Sequence, residues 1–329
     1  GQFVSKEENL MTNRNFVWAS SAALAMTSVA VAGTIVDVEL ILAEGDVPDG
    51  GKGQTVSILN APFTDAANRV GFVGGFESGE RFIWYDGGII FLSSDASPTS
   101  LTGGEGTMGI SNNGDFIYSP SIDGDDGVWT NNGELLKDGD PAPGFKGMFS
   151  SFNSRPTMTN NATAHWISGL SNTSGGSSMD RVLYRSTNAG MDEPEAVLTS
   201  GMEVDGFTIA AEGIDFIYDF SYDGSSQISV LATTEPFGLE NVVYVDGSVV
   251  AQQGMSTGDG DNWDGFDNVS VNNDGDYVFT GDTDGDFDTN EFLAYNGSIV
   301  LREGDMVDGI ELESGSSSRA ASLNNRGKL

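Results

Sequence analysis

The chain has 329 residues, with 14 basic against 49 acidic side chains, a formal net charge of −35, and no cysteine. A surface of that sign repels nucleic acid and anionic membranes, so neither is an expected partner, and the absence of cysteine excludes a disulfide framework. The length is ample for a large core, and so acidic an exterior suits salty or calcium-containing water, where cations screen self-repulsion.

In chain order, Met11 reads as a translation start, Arg14 as a short positive region, and Val17 to Ala32 as an apolar run ending Ala30-Val31-Ala32-Gly33. That is the pattern of a secretory signal with an Ala-x-Ala cleavage site, and about 16 apolar residues are few for a membrane span. Residues 1–10 then read as upstream read-through or untranslated sequence, 11–32 as the signal peptide, and 33–329 as one domain of a secreted or cell-surface protein, expected to be a monomer.

From Val36 onward a motif returns about every fifty residues, the mark of stacked or radially arranged units. Its first anchor is an apolar pair followed by a Gly-Asp turn, at Ile41 to Asp46, Leu135 to Asp140 and Val300 to Asp305, with weaker copies at Phe91 to Asp95, Val197 to Gly201 and Val249 to Gly254. Counted at the turn glycine, or at Ser94 where the glycine is missing, the spacings are 49, 45, 62, 53 and 50 residues. A second anchor is an Asn-rich turn at Asn112-Asn113-Gly114, Asn160-Asn161-Ala162, Asn272-Asn273-Asp274-Gly275 and Asn324-Asn325-Arg326-Gly327, degenerate at Tyr222-Asp223-Gly224. A third is an aromatic strand entering a tight turn, at Tyr85-Asp86-Gly87, Tyr244-Val245-Asp246-Gly247 and Tyr295-Asn296-Gly297. Asp-Gly and Asn-Gly predict type I′ hairpins, because both central residues need positive φ.

One full repeat reads as four short strands: Val269 to Val271, Asp276 to Thr280, Glu291 to Tyr295 and Ser298 to Arg302. Four antiparallel strands in 45 to 60 residues, repeated, predict an all-β chain folded as a β-propeller of four-stranded blades. Residues 57 to 302 supply five blades, Ala320 to Leu323 the first strand of another, and Val36 to Leu42 a fourth strand without its first three. The expectation is therefore six blades, with the chain cut inside the last. Leu135 to Gly144, with the recurrent Asn turns, resembles secreted bacterial tandem-repeat propellers often found with interchangeable carboxy-terminal sorting anchors. That resemblance implies a fold and a surface address, and it carries over no catalytic residue.

For chemistry, Asp282, Asp284, Asp286 and Asp288 alternate, with Glu291 placed to close an oxygen shell around a hard cation such as calcium. Phe287 stands where an EF-hand loop wants glycine, and the same Asp and Gly content also builds ordinary solvated loops. Asp259, Asp261, Asp264 and Asp267, and Asp123, Asp125 and Asp126, are looser clusters of the same kind. The single histidine, His165, lies in an alternating strand and reads as packed, with no nucleophilic triad around it. Trp129, Trp166, Trp263 and Phe266 lie in or beside loops; core packing is the commoner fate of such residues, and only Trp263, set among Asp261 and Asp264, leans toward stacking on a sugar. Two functions follow: a non-catalytic scaffold presenting loops to polysaccharide or protein partners, or a glycan-active hydrolase or lyase using carboxylates at a central channel.

Overall fold

The computed structural model describes residues 23–25, 39–60, 62–64, 69–104, 108–152, 156–171, 180–235, 240–307, 310–312 and 323. Among them the chain forms five successive antiparallel sheets of four or more strands. In the first, Val56–Leu59 and Phe63–Thr64 both pair with Val70–Phe76, followed by Arg81–Tyr85 and Gly88–Leu92. The third repeats this, with Met148–Phe152 and Thr157–Met158 on Ala164–Ser171, then Arg181–Ser186 and Glu195–Thr199. In the fifth, Trp263–Val271, Tyr277–Thr283, Glu291–Tyr295 and Ser298–Arg302 follow in order. The extra short strands arise because the opening strand of each unit is broken or bulged, as at Trp263/Gly265 and Phe266/Asn268. The result is a propeller-like arrangement of small antiparallel sheets.

Five sheets stand where the repeat count predicts six. The Gly-Asp anchor explains the discrepancy, because it turns out to be the joint between units. Gly45 N–H donates to Val56 O, Gly139 to Phe149, Gly201 to Ile209 and Gly254 to Trp263, tying the last strand of one unit to the first of the next. After the fifth sheet, Gly304 N–H donates to Leu312 O and Leu312 N–H to Asp305 O, so the joint is made again. Leu323 is buried and its N–H donates to Ser270 Oγ, as Val271 N–H donates to Asp219 Oδ2 one unit earlier. These contacts repeat the entry to a sheet without forming one among the described residues. At the other end Glu39–Leu42, expected as the last strand of a shared blade, pairs with Ala23–Ala25. Apart from Ala23–Ala25, residues 1–32 lie outside the described residues, as do Ala320 to Ser322.

The turns follow their local chemistry. Asp86, Asp246 and Asn296 have φ of 49°, 45° and 47°, each followed by a glycine of positive φ, so the three hairpins are of the predicted kind. Asp246 and Asn296 also accept from the N–H of Gln227 and Tyr277, locking each turn to its sheet. In the Asn turns the structural anchor is the residue that opens the turn. Ser111 Oγ accepts from Asn113 and Asp115 N–H, Thr159 Oγ1 from Thr163 N–H, and Asn272 Oδ1 from Asp274 and Asp276 N–H. The following asparagines then bridge units: Asn112 N–H donates to Asn160 Oδ1, and Asp223 N–H to Asn273 Oδ1.

Neighbouring sheets pack face to face. Trp166 and Tyr184 join Ile117 and Val128 of the preceding sheet, while Ile167 and Leu183, one residue along the same strands, join Leu231 and Val242 of the next. Both faces of such a strand are buried, which is why runs such as Val242-Val243-Tyr244-Val245 are continuously apolar.

Candidate functional site

The most elaborate polar cluster among the described residues sits at one end of the fifth sheet, where three loops meet. Residues 255–262 precede the opening strand, 284–290 join its second and third strands, and 302–305 form the Gly-Asp joint after the fourth. Arg302 ties them together. Its Nη2 lies 2.8 Å from Asp259 Oδ2 and 3.0 Å from Asp261 Oδ2, and its Nη1 donates to Thr283 Oγ1 and Thr289 O. Asn262 donates from its backbone and its side chain to the two oxygens of Asp284, at 2.7 and 2.8 Å.

The five residues expected to coordinate calcium are distributed along this arrangement. Asp282 and Glu291 oppose each other on adjacent strands, and Asp284, Asp286 and Asp288 lie on the loop between. Asp284 is occupied by Asn262, whose bonds hold its carboxyl below the usual carboxylate range, and Asp286 Oδ1 accepts from Asp288 N–H. Among the described residues no three acidic or histidine side chains converge as a metal would require. Arg302 ion-pairs with Asp259 and Asp261 of the neighbouring loop. Sequence reading missed this pairing, because Arg302 stands in a motif position taken elsewhere by Ala43 and Lys137, and its partner Asp259 lies 43 residues away.

Asp259 is also held below the usual carboxylate range, by the Thr257 hydroxyl first and Arg302 second. Replacing Arg302 by Met keeps much of the aliphatic stem and leaves Asp259 and Asp261 facing each other. The partly exposed geometry limits the effect, so the expected loss is about 2 kcal/mol in urea unfolding at neutral pH. An unchanged midpoint would mean that the three loops hold together without the guanidinium.

No family model matches the chain, and neither does any curated protein. Solved structures similar to it include a protein of unknown function from Bacteroides caccae, 12% identical, covering 80% of this chain and 86% of that one with a TM-score of 0.35. A luciferin-regenerating enzyme is 8% identical over 77% of this chain and 76% of its own, with a TM-score of 0.34. The polysaccharide lyase Uly1 is 12% identical over 79% of this chain and 61% of its own, with a TM-score of 0.39.

The aromatic residues singled out by sequence belong to the core. Trp263 is 4% exposed and packs against Phe266, Phe279 and Phe292, and Trp129, Trp166 and Phe266 are buried as well. The hydrophilic loop before Trp263 misled the reading, since the residue itself starts a strand whose face meets the neighbouring sheet. His165 is packed, 3% exposed, with its ring stacked on Phe220 at 3.6 Å between centroids. Burial, helped by the Arg185 charge, pushes its pKa down to about 3, and its Nδ1 has no hydrogen-bond partner. Asp219 is pushed up to about 6 by burial, against hydrogen bonds from Ser270 Oγ and the Val271 and Phe220 N–H groups.

Proposed function

We propose that the protein is a non-catalytic scaffold of the secreted, surface-displayed kind, presenting the loops of a rigid propeller to an extracellular polysaccharide or protein. The observation that carries this reading is where its unusual side chains are spent. Asp219, whose raised pKa would suit a general acid, has both oxygens occupied: Oδ2 accepts from Ser270 and Val271 across the joint between the fourth and fifth sheets, and Oδ1 from Phe220 N–H in its own strand. A glycosidase needs two carboxylates free to reach one glycosidic bond. By contrast, large apolar side chains stand exposed on the Gly-Asp joints, at Val47, Met202, Met255 and Met306.

Incubating the protein with soluble polysaccharides and measuring both retention and product release tests the proposal. Retention without new reducing ends or unsaturated sugars supports the scaffold. Release of either product would establish the hydrolase or lyase reading in its place.

A further inference from the structure

The end of the fifth sheet combines three features that together specify a partner. Arg302 clamps three loops, and large apolar side chains stand exposed on or beside them: Met255 at 56% exposure, Phe287 at 78%, and Met306 at 63% in the short strand Met306–Val307 that follows the joint. Single exposed apolar residues are ordinary on a protein surface, but here three stand on or beside loops that Arg302 holds to one another. The loops are already held by the Arg302 and Asn262 hydrogen bonds, so a partner meets a preorganised surface and little ordering opposes its binding. Carboxylates neighbour the apolar groups along the chain: Asp286 and Asp288 flank Phe287, and Asp305 precedes Met306. The charge of Arg302 is consumed by Asp259 and Asp261.

We propose that this end of the fifth sheet docks a cationic, amphipathic protein segment, one whose apolar side chains cover Met255, Phe287 and Met306 while its lysines or arginines meet the neighbouring carboxylates. The inference rests on the scaffold reading and narrows it to one partner chemistry. A neutral sugar leaves the carboxylates without countercharge, and an anionic polysaccharide is repelled by a chain of net charge −35.

The test uses two synthetic peptides, one alternating lysine and leucine and one alternating lysine and serine, titrated by fluorescence anisotropy into the full chain. Charge alone attracts both, so the informative quantity is their ratio. The lysine–leucine peptide should bind at least tenfold tighter, and both should weaken as salt rises. In the triple variant Met255→Ser, Phe287→Ser, Met306→Ser, the preference should vanish while the weaker, salt-sensitive binding remains. All three positions are exposed, and an unchanged urea midpoint confirms the fold; if the midpoint falls, Phe287→Ser alone, at the most exposed position, is read for at least a threefold loss of preference. A preference that survives the substitutions overturns the proposal, as does displacement of the peptide by a neutral polysaccharide. Neither outcome touches the scaffold reading, which falls only on release of cleaved polysaccharide.

Discussion

Replacing Gly109 by Ala should cost about 3 kcal/mol or more of unfolding free energy. Gly109 lies in the opening strand of the second sheet, and a Cβ built there would stand 2.1 Å from Met158 N and 2.4 Å from Thr157 C, in the opening strand of the third. Both obstacles are backbone atoms of a paired strand, so neither can rotate aside as a side chain would. The second and third sheets must part, and the core between them, which includes Ile117, Met158, Ala164 and Trp166, loses contact with them. Overpacking of this kind commonly costs 1 to 3 kcal/mol, and a clash between two strands belongs at or above the upper end. Urea unfolding followed by tryptophan fluorescence measures it. A loss under about 1 kcal/mol would show that adjacent sheets slide past each other easily, against the close packing described here.

That prediction depends on a contact between strands 48 residues apart, and it marks the border between what was legible in the chain and what was not. Hairpins such as Asp246-Gly247 were readable because positive φ is a property of two adjacent residues. The Gly-Asp anchor was readable as a period for the same reason, since Asp46, Asp140 and Asp305 each accept from the N–H three residues earlier. Its role as a joint between sheets was not, because the carbonyl that Gly139 N–H meets belongs to Phe149, in the next unit. The fate of Trp263 and the pairing of Arg302 with Asp259 were hidden on the same grounds: a polar loop and a carboxylate count describe neighbours in sequence, while burial and ion pairing are decided by neighbours in space. The blade count was overread because the residues at each end repeat the joint chemistry, and a joint is not a sheet.

The second large effect is a pH dependence set by His165. Its pKa falls from the ordinary 6.5 to about 3 in the folded chain, because burial against Phe220 disfavours the charged ring. Unfolded chains therefore bind a proton that folded chains refuse across that interval, so the contribution is fully present above pH 6.5 and is lost as pH falls toward 3. At about 1.4 kcal/mol per pH unit, the loss accumulates to about 5 kcal/mol at full protonation. Asp219 works in the opposite sense. Its pKa rises to about 6, so the folded chain holds the extra proton between pH 3.8 and 6, and stability from this group is greatest in acid and falls as pH rises through 6. Their ranges overlap, but of the two only the histidine acts between pH 6 and 6.5. His165→Phe isolates its part: a phenyl ring keeps the stack on Phe220, and because Nδ1 has no partner, no hydrogen bond from that atom is forfeited. At pH 7 the variant should be as stable as the native chain or about 1 kcal/mol more so, since an unsatisfied buried nitrogen is removed. At pH 4.5 it should exceed the native chain by a further 2 to 3 kcal/mol, or about two pH units of the linkage. Parallel urea titrations at the two pH values read the difference directly. Equal pH dependence in the two proteins would mean that the folded chain admits the proton at His165, through an opening of the packing around Phe220 that the structure does not contain.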